Sequence, residues 1–578
     1  MRLQSFITSL LLTASTVSAH RSLKHAGNNK RLEDLASAAK NVRSEGNHVH
    51  GRFTERQASG SKFLTANTTK FAVNGTGIPD VDFDVGESYA GSLPITSNPN
   101  DPNQLFWWFF PSPNPAAEKE ILIWLNGGPG CSSFEGLLQE NGPFLWQYGT
   151  YKPVENPWAW NRLTNVIWVE QPVGTGFSTG TPTATSEEDI AAQFKGFWKN
   201  FVDTFALQGY KVYIAGESYA GAYVPYIASS FLDEDDATYF DQRGILIYDP
   251  VITWDEIQAS ITVVPFVDYW SGLFPFNDTF RAQIHARADA CGYSAWVDKY
   301  LAYPPRGHIP MPLPGTDPAT GRVRRECSKI YDDIFDAILL LNPCFDIYQV
   351  ATTCPILWDV LGFPGSLPYL PEGAQIYFDR ADVKAAIHAP NVTWEECSSD
   401  DVFVGGDSSL PSGITVLPGV IERTNNVIIG HGALDMILLA NGTLLGIQNM
   451  TWHNATGFQT RPTEPFYVPY HEDESLSTVA AAGVFGTAHT ERGLTYVGVD
   501  LSGHMVPQYA PSAAYRHLEF LLGRVSSLSS TEPFTTGGAY PQSAQPLGQG
   551  TAPQGWSDAA PTCGKRGLRR SVKPLRRK

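Results

Sequence analysis

The sequence predicts an α/β protein with a mostly parallel central sheet, helices on both faces, and a cysteine-containing cap inserted into it. Short apolar strands recur at residues 105–110, 121–125, 166–169, 212–215 and 245–248, with helix-forming stretches such as 188–205 between them. From about 252 to 422 that rhythm gives way to a Pro-, Gly- and aromatic-rich insertion that holds five of the seven cysteines. Alternation resumes at 427–429 and 494–499, and a helix over 511–522 closes the domain.

The apolar run 211–215 ends in Gly216-Glu217-Ser218-Tyr219-Ala220-Gly221, and a helix is expected over 222–231. A serine on a sharp strand-to-helix turn is a nucleophile elbow, the mark of an α/β-hydrolase fold. The turn brings its flanking residues together, so Gly216 and Ala220 must be small.

A serine hydroxyl needs a base, and the base an orienting carboxylate, in the chain order Ser, Asp/Glu, His. The strand at 427–429 runs through Gly430-His431-Gly432 to Asp435, and the strand at 494–499 leads to Gly503-His504-Met505. Ser218, Asp435 and His504 are thus the expected triad. Asp500 competes with Asp435. His431 competes with His504 but breaks the order. After the strand at 121–125 comes Trp124-Leu125-Asn126-Gly127-Gly128-Pro129-Gly130-Cys131-Ser132-Ser133. Consecutive glycines let a main-chain N–H approach a reacting carbonyl, so Gly128 and Tyr219 are the expected oxyanion-hole donors.

With these motifs the chain resembles the serine carboxypeptidases of the α/β-hydrolase superfamily, carboxypeptidase Y-like, over roughly residues 80–524. The resemblance implies release of single C-terminal amino acids through an acyl-enzyme. It also implies that Trp124, Asn126, Glu140 and Glu217 bind the substrate's terminal carboxylate, and that Cys131 pairs with Cys397. Cys291, Cys327, Cys344 and Cys354 would then form two further bridges of open connectivity. Two acids beside an incoming carboxylate cannot all ionise, which predicts an acidic pH optimum. Met505 offers an apolar wall to the leaving residue and hints at hydrophobic C-termini. Two segments depart from the family's pattern. Asp249-Pro250-Val251 stands where a Gly-Asn-Gly turn is usual, and Gly432-Ala433-Leu434-Asp435 lacks a usual acid. Acyl transfer to an alcohol on the same scaffold is the alternative chemistry, and a non-catalytic hydrolase-fold binding module the alternative class.

The ends of the chain read differently from its body. Arg2, the apolar stretch 6–12 and Val17-Ser18-Ala19 compose a signal peptide over 1–19. Residues 20–60 read as a propeptide-like leader, 61–524 as the peptidase domain, and 525–578 as a low-complexity tail with a basic end. Sequons at Asn67, Asn74, Asn277, Asn391, Asn441, Asn449 and Asn454 fit a glycoprotein of the secretory pathway, secreted or, alternatively, vacuolar. The net charge of −17 argues against nucleic acid and anionic membranes as partners. No stable membrane anchor is expected. No cysteine or histidine grouping has zinc spacing, so neither metal nor cofactor is expected.

Overall fold

The computed structural model describes residues 61–362, 373–471 and 482–536. The expected signal peptide and leader, most of the tail and Cys563 lie outside them.

Eleven strands form the main sheet among the described residues. In chain order they are β1 Ala72–Val73, β2 Ser88–Pro94, β3 Gln104–Phe110, β4 Glu120–Leu125, β5 Asn165–Glu170, β6 Lys211–Glu217, β7 Asp241–Tyr248, β8 Val427–Gly432, β9 Glu464–Val468, β10 Gly483–Glu491 and β11 Leu494–Val499. Their spatial order is β1-β2-β3-β5-β4-β6-β7-β8-β11-β10-β9. The six central strands, β5 to β11 in that order, run parallel, and the outer ones pair antiparallel. A central strand buried on both faces reads as a continuous apolar run, as Ile121 to Leu125 does.

Alternate residues serve alternate layers. Ile121, Ile123 and Leu125 face α2 (Glu187–Phe205) and α3 (Ala220–Asp233), whose Trp198, Phe201 and Tyr223 fill one core. Leu122 and Trp124 face the other core, shared with Trp160 and Leu518. Helix α2 begins at Ser186, whose hydroxyl caps Asp189 N–H, and three acids in its first turn favour the helix dipole.

The cap has its own core, built on α4 (Asp278–Ala290), α5 (Tyr293–Tyr300) and α6 (Ile330–Leu341). Leu434, Met436 and Leu439, on the loop after β8, belong to that same core. The loop carrying Asp435 is therefore clamped between sheet and cap. Cys291–Cys327 and Cys344–Cys354 staple the cap, and Cys131–Cys397 links it to the glycine-rich loop after β4.

Both ends of the described chain are tied down. Phe63 packs edge-on against Phe109, and Lys62 Nζ donates to Ser112 O. Packing also passes the expected domain boundary at 524. Val525 and Leu528 are buried, and Phe534 lies against Trp158 and Tyr515. Low complexity in this stretch hid the single apolar anchors that hold it. No described helix is long and apolar enough to cross a membrane.

Candidate active site

Every expected catalytic side chain sits at the carboxyl end of a parallel strand. That end is where open α/β sheets place their sites. β6 stops at Glu217, α3 starts at Ala220, and Ser218 between them has φ of +61°, the left-handed conformation of an elbow. A Cβ on Gly216 would lie 2.8 Å from that of Ala220 and 2.3 Å from Leu125 O, which explains the small residues. The elbow is pinned by its backbone. Ser218 N–H donates to Tyr248 O, and Ser218 O accepts from Gly221 and Val251, each at 2.9 Å.

Asp435 and His504 meet across 69 residues of sequence, with Nδ1 of His504 2.8 Å from Oδ2 of Asp435. The second Asp435 oxygen accepts the Ile437 N–H at 2.8 Å, and His504 N–H donates to Tyr348 O at 2.8 Å. Ser218 and His504 line one cavity. Among the described residues they share no hydrogen bond, and catalytic contacts of this kind often tighten only when substrate arrives.

Both rivals fall away on geometry. Asp500 is exposed, and its N–H is spent on Phe485 O. His431 is buried within β8, its Nε2 donates to Leu438 O at 2.9 Å, and burial pushes its imidazole down to about 4. His431, unlike His504, does not line the cavity.

The glycine-rich loop lies directly on the elbow. A Cβ on Gly127 would fall 2.5 Å from Tyr219 N and 2.8 Å from Ser218 Cβ, so no other residue fits. Gly128 and Tyr219 flank the serine on this loop and on the elbow, and both line the cavity.

Beside Ser218 stands a cluster of acids. Trp124 Nε1 donates to Asn126 Oδ1 at 2.7 Å. Asn126 Nδ2 then faces Glu217 Oε1 at 2.9 Å, Glu140 Oε1 at 3.4 Å, and Glu135. Burial pushes Glu140 up to about 8 and Glu217 well above the usual carboxyl range; Glu140 and Glu135 beside Glu217 raise it further. Carboxyl oxygens of Glu217, Glu140 and Glu135 lie within 4.8 Å of one another, so these buried acids cannot all ionise. One oxygen of each, Oε2, is buried without a partner among the described residues.

Glu135 was missed in the sequence. It lies on α1 (Phe134–Gln139), while Glu140 caps that helix's C-terminal end. Burial and Glu140 raise it well above the usual range. Its only sequence signal is an acid in the first helical turn after the glycine loop.

The cavity holds about 670 Å³. Met505 lines it with Leu357 and Ile437, but Glu135, Asp359 and Glu396 line it too. The cavity is thus mixed: Met505 adds apolar surface, while α1 supplies Glu135 and the cap supplies Asp359 and Glu396. Behind the loop, Glu170 is also buried. Its Oε1 accepts Ser132 Oγ and Trp394 Nε1, its Oε2 accepts Phe177 N–H, and burial lifts it to about 7.

Residues 79–523 match the profile of the family described as serine carboxypeptidase. The chain belongs to the serine carboxypeptidase family. A probable serine carboxypeptidase of Arthroderma benhamiae is 57% identical over 486 residues, covering 82% of this chain and 90% of that protein. Serine-type carboxypeptidase F of Aspergillus niger is 46% identical over 547 residues, covering 91% of this chain and all of its own length. Among solved structures, the Kex1 prohormone-processing carboxypeptidase of Saccharomyces cerevisiae superposes with a TM-score of 0.62 at 22% identity. That match covers 80% of this chain and 98% of that one, and it speaks for the fold. The chain is a serine-type carboxypeptidase, a hydrolase of exopeptidase type. Its disulfides include the expected Cys131–Cys397 pair.

Proposed function

We propose that Ser218, His504 and Asp435 carry out the hydrolysis, and that Trp124, Asn126, Glu140 and Glu217 select a free C-terminus. The observation that carries this reading is the acid cluster on Asn126, one residue from the nucleophile. The substrate carboxylate enters against protonated Glu140 and Glu217, which donate O–H to it. Ser218 Oγ attacks the last peptide carbonyl while His504 Nε2 takes the hydroxyl proton. The N–H groups of Gly128 and Tyr219 hold the oxyanion. Collapse breaks the C–N bond, His504 gives its proton to the leaving amine, and water then releases the peptide from Ser218. Both glutamates lose their protons as pH rises and then repel the carboxylate, so binding favours acid pH.

Transit through the secretory pathway belongs to the same proposal, with removal of 1–19. Five sequons support it, because Asn67, Asn74, Asn277, Asn391 and Asn454 are exposed. Asn441 and Asn449 are half-buried, and Asn449 Oδ1 already holds Ile309 N–H at 2.8 Å, so these two are the poorer acceptors. The deciding experiment compares N-blocked dipeptides with free or amidated C-termini at about pH 5 and about pH 7.5, with Ser218→Ala as control. Serine-dependent release favouring the free acid and lower pH is expected. Reaction of Ser218 with a fluorophosphonate but no peptide release would point to acyl transfer instead.

A further inference from the structure

Asp249 closes β7, next to the strand that carries Ser218, and is fully buried. Its φ of +42° lies in the left-handed region, which a residue with a Cβ adopts only at a cost. Something must therefore hold a buried acid on strained backbone. Its N–H donates to Gly430 O, and its Oδ1 accepts Gly432 N–H, both at 2.9 Å. The Nε2 of His431 lies 3.3 Å from Oδ1. The other oxygen, Oδ2, has no donor among the described residues. A carboxyl oxygen of Asp249 lies within 4.8 Å of one of Asp435, and both groups are buried. Two buried carboxyls so close cannot both ionise, so one of them holds a proton.

We propose that Asp249 is a positioning residue: protonated, it donates its O–H to the Asp435 carboxylate and locks that group against His504 Nδ1. The proposal rests on the triad reading. Asp435 already accepts from Ile437 and His504, and Asp249 supplies the next bond, fixing the carboxylate plane. It also spreads the charge of Asp435 when His504 becomes an imidazolium.

The surroundings keep the proton on Asp249. Burial, and then Asp435 beside it, push this carboxyl well above the usual range. Glu140 acts in the same sense, and Glu217, Tyr248 and Tyr496 also feel Asp249. His504 lies beyond Asp435. His431 commits its Nε2–H to Leu438 O, and with a pKa near about 4 it is neutral above that pH. Raising pH strips the proton and sets a second negative charge against Asp435, so turnover falls on the alkaline side.

The test measures kcat and KM for an N-blocked dipeptide ester from pH 5 to pH 9, which takes the carboxylate-binding glutamates out of play. Asp249→Asn keeps a donor. It is expected to hold kcat within about threefold and to lose the alkaline decline in kcat. Asp249→Leu, if folded by circular dichroism, is expected to lose kcat about 10- to 100-fold at unchanged KM. Equal losses in both variants, wild-type kcat in the leucine variant, or an alkaline decline retained by the asparagine variant would each overturn the proposal. Where the leucine variant does not fold, the pH profile of Asp249→Asn decides. A wild type that neither cleaves the ester nor reacts with a fluorophosphonate defeats the triad reading itself.

Discussion

Glu170 accepts the indole N–H of Trp394 at 2.9 Å, joining the end of β5 to a cap residue 224 positions away. The same carboxyl oxygen takes the hydroxyl of Ser132. A single buried acid thus fixes the glycine-rich loop to the cap, and its protonation state bears on stability.

Burial raises Glu140, Glu170 and Asp346 to about 8, 7 and 7. Each holds in the folded state a proton that the unfolded chain gives up near its ordinary value. Their contribution is full below that value and is lost as pH rises through the raised ones. The buried, neutral His431 and His517 act oppositely, but only below about 6.5, their unfolded value. Between about pH 6.5 and 8 the acids act alone, so Tm is expected to fall across that window. A thermal-melt series in matched ionic strength checks this, and a rising Tm would refute it.

Removing one triad member should nearly abolish turnover. Ser218→Ala and His504→Ala are each expected to cost about 10⁴-fold or more in kcat, and Asp435→Asn roughly 10⁴-fold. Only the serine variant should lose its labelling site outright. Active-site titration beside steady-state kinetics separates these cases.

Glu140→Gln keeps a hydrogen-bond donor but no longer ionises. For free-acid peptides its KM should rise less between pH 5 and 7.5 than that of wild type, while kcat for amidated substrates changes little. Steady-state KM at the two pH values reads this out. A wild-type pH dependence in the variant would move the titration to Glu217 or Glu135.

The two kinds of disulfide should separate in their effects. Cys131→Ser with Cys397→Ser opens a link spanning 266 residues, and a loss of about 2–5 kcal/mol is expected. Because Ser132 N–H also donates to Glu396 O, and Ser398 N–H to Gly130 O, the loop beside the nucleophile loosens and kcat falls as well. Cys291→Ser with Cys327→Ser should cost stability within the cap core yet leave kcat within about twofold. Denaturation curves and kinetics on the same preparations compare them.

The sheet and the elbow were legible because their signals are local. Apolar β-branched runs mark β4, β6 and β8, and the elbow needs Gly216 and Ala220 within two residues of Ser218. Helix ends moved by only a residue or two, as for α3, which starts at Ala220 rather than 222. What escaped depends on distant chain segments meeting. Glu135 matters through Asn126 and Glu140, Glu170 through Trp394, and Asp249 through Asp435. An acid at any of these positions reads in one dimension as a solvated charge. The ordered stretch past 524 was hidden similarly, since Phe534 gains its meaning from Trp158.

Phe63 and Phe534 act as bookends. Phe63 seals the layer over β3, and Phe534 caps the opposite face beside Trp158. Together they close the two faces of one sheet from opposite ends of the chain. A cut inside either aromatic opens that face to water. The two rings thus give the sheet's faces a dependence on the far ends of the domain that no strand carries.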